Sequence, residues 1–315
     1  MDVVTNPSAG RVPFVDGVRA MRAWLVASLL CNLGIIVTGA VVRVTGSGLG
    51  CSTWPECHEG SYVPHGESGI HGYIEFGNRL LTFVLIIAAL GAFISVWRNR
   101  GRGSKLWWLT LGIGLGIPLQ GVIGGVTVLA QLNPWVVALH LLLSVALVVL
   151  CTWSVVIGYE VRPDEVGRQA RWLTLVTFSF AMLAIWLGTV VTGAGPHAGD
   201  ANALRNGLDI TSITRIHSLS AWATLLLSIA CVYWFRRSGH AKAQRAAWIL
   251  LGTLLLQGAI GYIQYFLGLP TAVVVLHLIG LTLVNVAAAW LLFSTRAARQ
   301  PISGSIAMAR NSNAR

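Results

Sequence analysis

Charged residues are scarce in this sequence. Only 10% of its 315 residues are Asp, Glu, Lys or Arg, compared with about 25% in a typical soluble domain. This scarcity and the 55% hydrophobic content exclude an ordinary soluble domain and a disordered chain. A net charge of +11 would suggest nucleic-acid binding in a soluble protein. Here the basic residues lie in short segments between apolar runs, which is typical of an integral membrane protein without a nucleic-acid partner.

Eight apolar stretches are long enough to cross a membrane, for which a helix needs about 20 residues. They cover residues 23–43, 74–97, 106–129, 134–158, 172–194, 213–235, 246–268 and 271–293. Residues 1–22 lack a small-residue cleavage site after a short apolar core, so we expect a tail that leads into a retained first helix. The predicted fold is an all-α integral membrane protein.

The distribution of Lys and Arg predicts the orientation. All but four of the 22 basic residues fall in the two terminal segments and in the loops after the second, fourth and sixth helices. These segments should therefore face the cytoplasm of a prokaryotic cell, with both termini inside. The exceptions lie on the outer side, where a positive charge needs a ligand or a partner. They are Arg43, Arg79, Arg205 and Arg215.

An internal repeat predicts two similar halves. The segment QGVIG at 120–124 is followed by His140, and QGAIG at 257–261 is followed by His277 at the same spacing. Residues 33–40 and 187–194 also match. Each half has four helices, which is an even number, so both halves enter the membrane from the same side. The sequence predicts two four-helix bundles related by a parallel internal repeat.

The predicted organisation has two bundles and three cytoplasmic segments. It consists of a tail 1–22, an N-terminal bundle 23–158 with a long outer loop 44–73, a linker 159–171, a C-terminal bundle 172–293 and a tail 294–315. The outer loop contains Cys51 and Cys57. On the oxidising side of the membrane we expect these two to form a disulfide. The spacing leaves open whether the bond is a structural staple or redox-active.

Three histidines lie inside predicted membrane helices near their outer ends: His140, His217 and His277. Ionisable groups in membrane helices are costly and are usually functional. Two imidazoles that face each other can hold a haem iron from both sides. In the alternative interpretation, each histidine only ties helices together by a hydrogen bond to a carbonyl. Arg215, two residues before His217, suits a haem propionate because guanidinium binds carboxylate bidentately.

The first half has Asn78 at the position of His217. On a helix, His71, Glu75 and Asn78 share one face and should point together into the bundle. Glu75 is either a structural partner of Arg79 at i+4 or an acid–base group beside a half-complete haem site.

Together these motifs resemble the haem A synthase family. The matching segments are TGSGL at 45–49, CSTWPEC at 51–57 and EFGNR at 75–79, together with His140, His217 and His277. The resemblance extends over all eight predicted helices. It implies an enzyme that oxidises the C8 methyl of haem o to a formyl group by successive oxygenations, giving haem A for cytochrome oxidase.

The resemblance also implies the ligands and partners of each half. Haem b would be held in the C-terminal half by His217 and His277, and Glu75 would be catalytic. Substrate haem o would lie in the N-terminal half against His140, with His71, Asn78 and Arg79. The partners expected are haem o, molecular oxygen, an unidentified membrane electron donor and haem o synthase. The question of whether the protein forms a homo-oligomer is left open.

Two departures from the family pattern bear on the mechanism. Many members have histidine where this chain has Asn78, so either His71 or nothing ligates the substrate haem opposite His140. Some members also have a second cysteine pair after the fifth helix, whereas residues 195–212 contain no cysteine. A mechanism that needs a second disulfide is therefore excluded.

Two other classes of protein compete with the enzyme. A di-haem membrane cytochrome b that carries electrons from quinol would explain the histidines but not Glu75 or the long outer loop. A transporter built on parallel repeats would need polar, broken helices in the middle of the membrane, whereas the polar residues here cluster at the outer helix ends.

Overall fold

The architecture is that of a helical membrane protein, described by a computed structural model over residues 14–298. Within that range the α-helices are α1 (Val18–Val44), α2 (Gly69–Arg100), α3 (Lys105–Leu129), α4 (Pro134–Gly158), α5 (Arg168–Ala194), α6 (Ile210–Ser238), α7 (Ala241–Phe266) and α8 (Thr271–Phe293). All eight are long and apolar enough to cross a membrane. The predicted all-α, multi-pass membrane fold is confirmed.

Part of both predicted tails lies outside the described residues. These parts are residues 1–13 and 299–315, with Arg11, Arg299, Arg310 and Arg315 among the arginines used to predict the orientation.

Several helices begin before the predicted positions. Since α2 begins at Gly69, the long loop spans 45–68 rather than 44–73, and the linker after α4 spans 159–167 rather than 159–171. Hydropathy locates the apolar middle of a helix, whereas polar residues at its ends can continue or cap it. Asp209, for example, caps α6 by accepting a 2.7 Å hydrogen bond from the Ser212 backbone N–H, and the hydrogen bonds from Ser212 lower the pKa of this carboxyl.

The helices pack as two groups of four. Each helix of α1–α4 packs on the next, and α1 also packs on α4; α5–α8 are arranged in the same way. The two groups meet where α4 packs on α5 and α8, and α1 packs on α8. At this junction Val145, Ile185 and Leu281 form an apolar cluster, and the buried Asn285 donates a 3.1 Å hydrogen bond to the carbonyl of Val145. This packing agrees with the two bundles predicted from the repeat.

The connections α1–α2, α3–α4, α5–α6 and α7–α8 lie at one end of the bundles. We call it the disulfide end, because its longest loop, 45–68, contains a disulfide between Cys51 and Cys57. The other end is called the opposite end.

At the opposite end two short strands pair in parallel, β1 (Asp164–Val166) and β2 (Thr295–Ala297). The carboxylate of Asp164 also accepts hydrogen bonds of 3.0 Å from the backbone N–H groups of Lys242 and Ala243, in the first turn of α7. Part of the predicted linker and of the predicted C-terminal tail is therefore ordered structure that fastens α7 to α8.

Asp164→Ala should destabilise the protein by about 1 kcal/mol, because the first N–H groups of a helix lose their acceptor, as they do when an N-cap is removed. Thermal unfolding of the purified protein in detergent measures this. Glu165→Ala is the matched control, since the Glu165 carboxylate forms an exposed ion pair with Arg296, and such pairs contribute little. An equal loss in both variants would contradict the capping role.

Candidate functional site

Two imidazoles face each other in the second half. The rings of His217 on α6 and His277 on α8 have centroids 6.4 Å apart and planes at 78°. An imidazole nitrogen binds a metal ion at roughly 2 Å and the ring centroid lies roughly 1 Å behind it, so two rings on opposite sides of one ion have centroids about 6 Å apart. The observed separation therefore fits an iron held between the two histidines.

The surroundings of this pair hold the rings in place. The Nδ1–H of His217 donates a 2.9 Å hydrogen bond to the carbonyl of Ala184, which leaves Nε2 free to bind a ligand. Gln257 donates a 2.8 Å hydrogen bond to the backbone carbonyl of His277. The Nδ1 atom of His277 is buried and has no partner among the described residues. A buried nitrogen without a partner is unfavourable in a finished core and suits a site that takes a ligand.

Each of the three histidines packs on a glycine of the preceding helix. A Cβ atom added to any of these glycines would lie 3.2–3.3 Å from the Cε1 atom of the imidazole, which is closer than ordinary contact. The pairs are Gly188 with His217, Gly261 with His277, and Gly124 with His140. Sequence reasoning noted these glycines only as parts of repeated motifs. For Gly124 with His140 and Gly261 with His277, the repeated spacing of 16 residues was the signal for this contact.

In the first half, the histidine that packs on a glycine in this way is His140. Gln120 donates hydrogen bonds to the backbone carbonyl of His140 at 3.0 Å and to Ser144 Oγ at 2.6 Å, as Gln257 does to the carbonyl of His277. The Nδ1 atom of His140 is buried without a partner in the part of the chain that the structure describes. No ring contact or hydrogen bond joins His140 to His71 in residues 14–298.

In the internal repeat, Asn78 is the counterpart of His217 in the second half. Its Oδ1 atom accepts a 2.7 Å hydrogen bond from Thr38 on α1. Gly34, the counterpart of Gly188, has no atom within 4 Å of where a Cβ would be. The first half is therefore open beside α1, where the second half is filled by an imidazole.

The three polar residues of α2 do not share one site. His71 is exposed and its Nδ1 hydrogen-bonds Ser47 Oγ at 2.9 Å, while Asn78 contacts Thr38. Glu75 turns to the disulfide loop. Their positions on one helix were predicted, but the structure does not show the predicted convergence, because each side chain has its own partner in α1 or in the loop.

Glu75 is 6% exposed, and both oxygens of its carboxylate accept hydrogen bonds. Its Oε1 atom accepts hydrogen bonds from Arg79 at 2.6 and 3.1 Å, and its Oε2 atom accepts one from the Cys51 backbone N–H at 2.7 Å. Arg79 in turn donates to the carbonyls of Thr53 at 3.0 Å and Glu56 at 3.2 Å. The Glu75–Arg79 pair thus fastens residues 51–57 to α2. Any change in the protonation of Glu75 must be coupled to these loop contacts.

The same loop inserts Trp54 against α3. A Cβ added to Gly125 would lie 2.2 Å from Trp54 Cδ2, so the indole lies directly on this glycine. The neighbouring Gly124 contacts His140. The disulfide loop therefore forms part of the wall beside His140.

Gly125→Ala should displace Trp54, and the cost of such overpacking is typically about 1–3 kcal/mol. Gly121→Ala on the same helix is the control, because its Cβ would have no atom within 4 Å. Limited proteolysis of loop 45–68 and tryptophan fluorescence report whether the indole has moved. Equal protease resistance of the two variants would refute this packing.

Arg215 is exposed and forms no ion pair with a described residue. The sequence analysis predicts that Arg215 binds a haem propionate. Its exposed position on α6 leaves its guanidinium accessible to such a carboxylate. Within residues 14–298, no group of three or more His, Cys, Asp or Glu side chains converges as a metal site. The two facing histidines are thus the arrangement best suited to a metal that brings its own equatorial ligands, such as haem.

Comparison with known proteins gives a consistent result. Residues 22–290 match the family model of the cytochrome oxidase assembly protein COX15-CtaA. A protein named heme A synthase from Lysinibacillus sphaericus is 32% identical over 180 residues, which are 55% of this chain and 58% of that protein. Proteins of the same name from Staphylococcus epidermidis (32% over 161 residues, 49% and 52%) and Staphylococcus aureus (30% over 181 residues, 54% and 58%) are also similar. The matched part spans about half the length of these curated relatives.

Proposed function

This chain belongs to the COX15-CtaA family of cytochrome oxidase assembly proteins, and we propose that it is a haem A synthase. In the proposed reaction, molecular oxygen oxidises the C8 methyl of haem o in successive steps to a formyl group, which gives haem A for cytochrome oxidase. The names of its relatives support this assignment.

The difference between the two halves is the observation that carries the proposal. The second half has two facing imidazoles, His217 and His277, which suits a cofactor held permanently from both sides. The first half has His140 alone, with Asn78 bonded to Thr38 instead of facing it with a second imidazole. One-sided binding suits a substrate that must enter and leave.

We assign haem b to the second half. Bound there, it would supply an iron centre that exchanges single electrons with an unidentified membrane donor. His217 is oriented by the Ala184 carbonyl, and the backbone of His277 is held by Gln257. Arg215, exposed on the same helix as His217, is our candidate for a propionate of this haem.

The first half would bind haem o against His140, with its reacting edge toward the disulfide loop. We propose that Glu75 delivers protons there, because each oxygenation consumes protons as water forms. Arg79 would act by holding residues 51–57 and Glu75 in place, since its hydrogen bonds go to them. His71 would contribute through Ser47 and the start of α2.

We also propose that the opposite end faces the cytoplasm of a prokaryotic cell, because most basic residues lie there. Both termini would then be cytoplasmic and the disulfide would lie in the oxidising compartment. Haem o synthase in the same membrane would supply the substrate.

The test is to extract and identify the haems of cells that make haem o, with and without this protein. The enzyme predicts that haem A appears only when the protein is present, while haem o falls. A di-haem cytochrome b would add bound haem b without forming haem A. An unchanged haem o content at verified expression and haem b loading would reject the synthase and leave the cytochrome.

A further inference from the structure

Two arginines at the disulfide end converge without a carboxylate partner. Arg43 Nε donates a 2.7 Å hydrogen bond to the carbonyl of His197, and Arg205 Nη2 donates one of 3.2 Å to the carbonyl of Pro196. Arg205 Nη1 also donates a hydrogen bond to the carbonyl of Ala203. The two guanidinium groups bind carbonyls of adjacent residues and are close enough for their positive charges to repel each other. Neither arginine takes part in any ion pair of the described residues.

Both arginines of this pair keep N–H donors without a partner among the described residues. Arg43 is half-buried, and of its nitrogens only Nε has a hydrogen-bond partner among residues 14–298. Arg205 is exposed. Two neighbouring guanidinium groups with free N–H donors match the geometry of a carboxylate or phosphate, and a bound anion would remove their repulsion.

The loop that carries these carbonyls, residues 195–209, is hydrogen-bonded and packed against both halves. Gly48 N–H donates a 2.8 Å hydrogen bond to the carbonyl of Gly199, and Leu132 packs with Ala198 and Ala203. The Nε2 of His197 hydrogen-bonds the carbonyl of Leu269 at 3.0 Å, before α8. The loop 195–209 is thus fixed against the ends of α1, α3 and α7, so the donors are held in place before an anion arrives.

The position of the pair points to the first-half ligand. Arg43 lies in the last turn of α1, five residues after Thr38, which contacts Asn78. At 1.5 Å rise per residue this is roughly 7–8 Å along the helix toward the disulfide end. A tetrapyrrole bound at the level of Asn78 and His140 could therefore extend a propionate arm to the two guanidinium groups.

We propose that Arg43 and Arg205 form an oxyanion site for a propionate carboxylate of the tetrapyrrole bound in the first half. The proposal rests on the function proposed above, because it takes its ligand from that function. A phospholipid phosphate has the same chemistry and is the other source of an anion that the test must separate.

The experiment compares hemin with hemin dimethyl ester, which lacks the carboxylate charge. Each is titrated into the full-length protein in detergent, and the weaker of the two binding events is followed by absorption. Arg205→Gln and Arg43→Lys should weaken hemin binding by roughly ten- to hundredfold, the effect of losing a charge-assisted hydrogen bond. Binding of the ester should not change, which also shows that the variants are folded. Arg245→Gln, an exposed charge at the opposite end, is the control and should leave both affinities unchanged.

Two results would overturn the site. One is equal hemin affinity in Arg205→Gln and the unchanged protein. The other is native mass spectrometry in which the unchanged protein retains an anionic phospholipid that Arg205→Gln loses, with hemin affinity unaltered. If the unchanged protein shows the low-spin haem spectrum in these experiments, the proposed function survives and only the arginine site is rejected. If it binds no tetrapyrrole, both proposals fail.

Discussion

Replacing His217 or His277 with alanine is expected to abolish the low-spin haem b spectrum of the purified protein. The two rings stand 6.4 Å apart on α6 and α8, and a single remaining imidazole cannot keep an iron six-coordinate. We expect each variant to insert into the membrane normally, because each histidine packs on a glycine, and a smaller side chain adds no clash. Absorption spectra of the oxidised and reduced protein provide the measurement.

The controls for this prediction lie in the other half and at the other end. His140→Ala should keep the low-spin signal, because His140 belongs to the first half. His240→Ala should also keep it, since His240 lies at the opposite end and hydrogen-bonds Ser238 and the Glu165 carbonyl. An unchanged bis-histidine spectrum in His277→Ala would refute the assignment of the cofactor site.

The membrane helices could be predicted because their signal is local. A run of about 20 consecutive apolar residues predicts a membrane helix independently of the rest of the chain. Polar ends carry no such signal, so the starts of α2 and α5 were placed too late. The pairing of β1 with β2 was not predicted, because three-residue strands have no readable pattern and Glu165 and Arg296 are 131 residues apart.

The histidines of the site could also be found in the sequence, since the repeat gives both copies at one spacing. The repeated glutamine had a further meaning that spacing alone did not reveal: its side chain binds the backbone carbonyl of the histidine 20 residues later. Helical periodicity placed His71, Glu75 and Asn78 on one face, but it could not show their partners. Those partners come from α1 and the disulfide loop, whose path depends on tertiary contacts.

The arginines of the disulfide end illustrate the same limit. The charge distribution singled out four of them as needing partners. The structure gives Arg79 a carboxylate, leaves Arg215 exposed, and joins Arg43 to Arg205 through two consecutive carbonyls. Only the folded loop 195–209 brings the last two together, so no sequence spacing could predict their pairing.

Glu75→Gln is expected to lower haem A formation by about 10²–10⁴-fold, which is the usual contribution of a general acid–base group. Haem b at His217 and His277 should be retained, and haem o or its hydroxylated intermediate should accumulate. The counterpart of Glu75 in the second half is Thr214. A carboxylate in the first half alone agrees with proton delivery to the substrate and with a second half that only holds a cofactor.

The structure sharpens the competing explanation, in which Glu75 only fastens the loop. Arg79→Gln provides the comparison, because it breaks the contacts to Glu75, Thr53 and Glu56 but keeps the carboxylate. If Glu75 handles protons, Glu75→Gln should form far less haem A than Arg79→Gln, measured by haem extraction at equal haem b content. If Glu75 is only structural, Arg79→Gln should be at least as impaired, since it loses contacts to two further carbonyls. A normal haem A yield from Glu75→Gln would exclude the acid–base role outright, because glutamine can still accept the hydrogen bond from Cys51 but cannot deliver a proton.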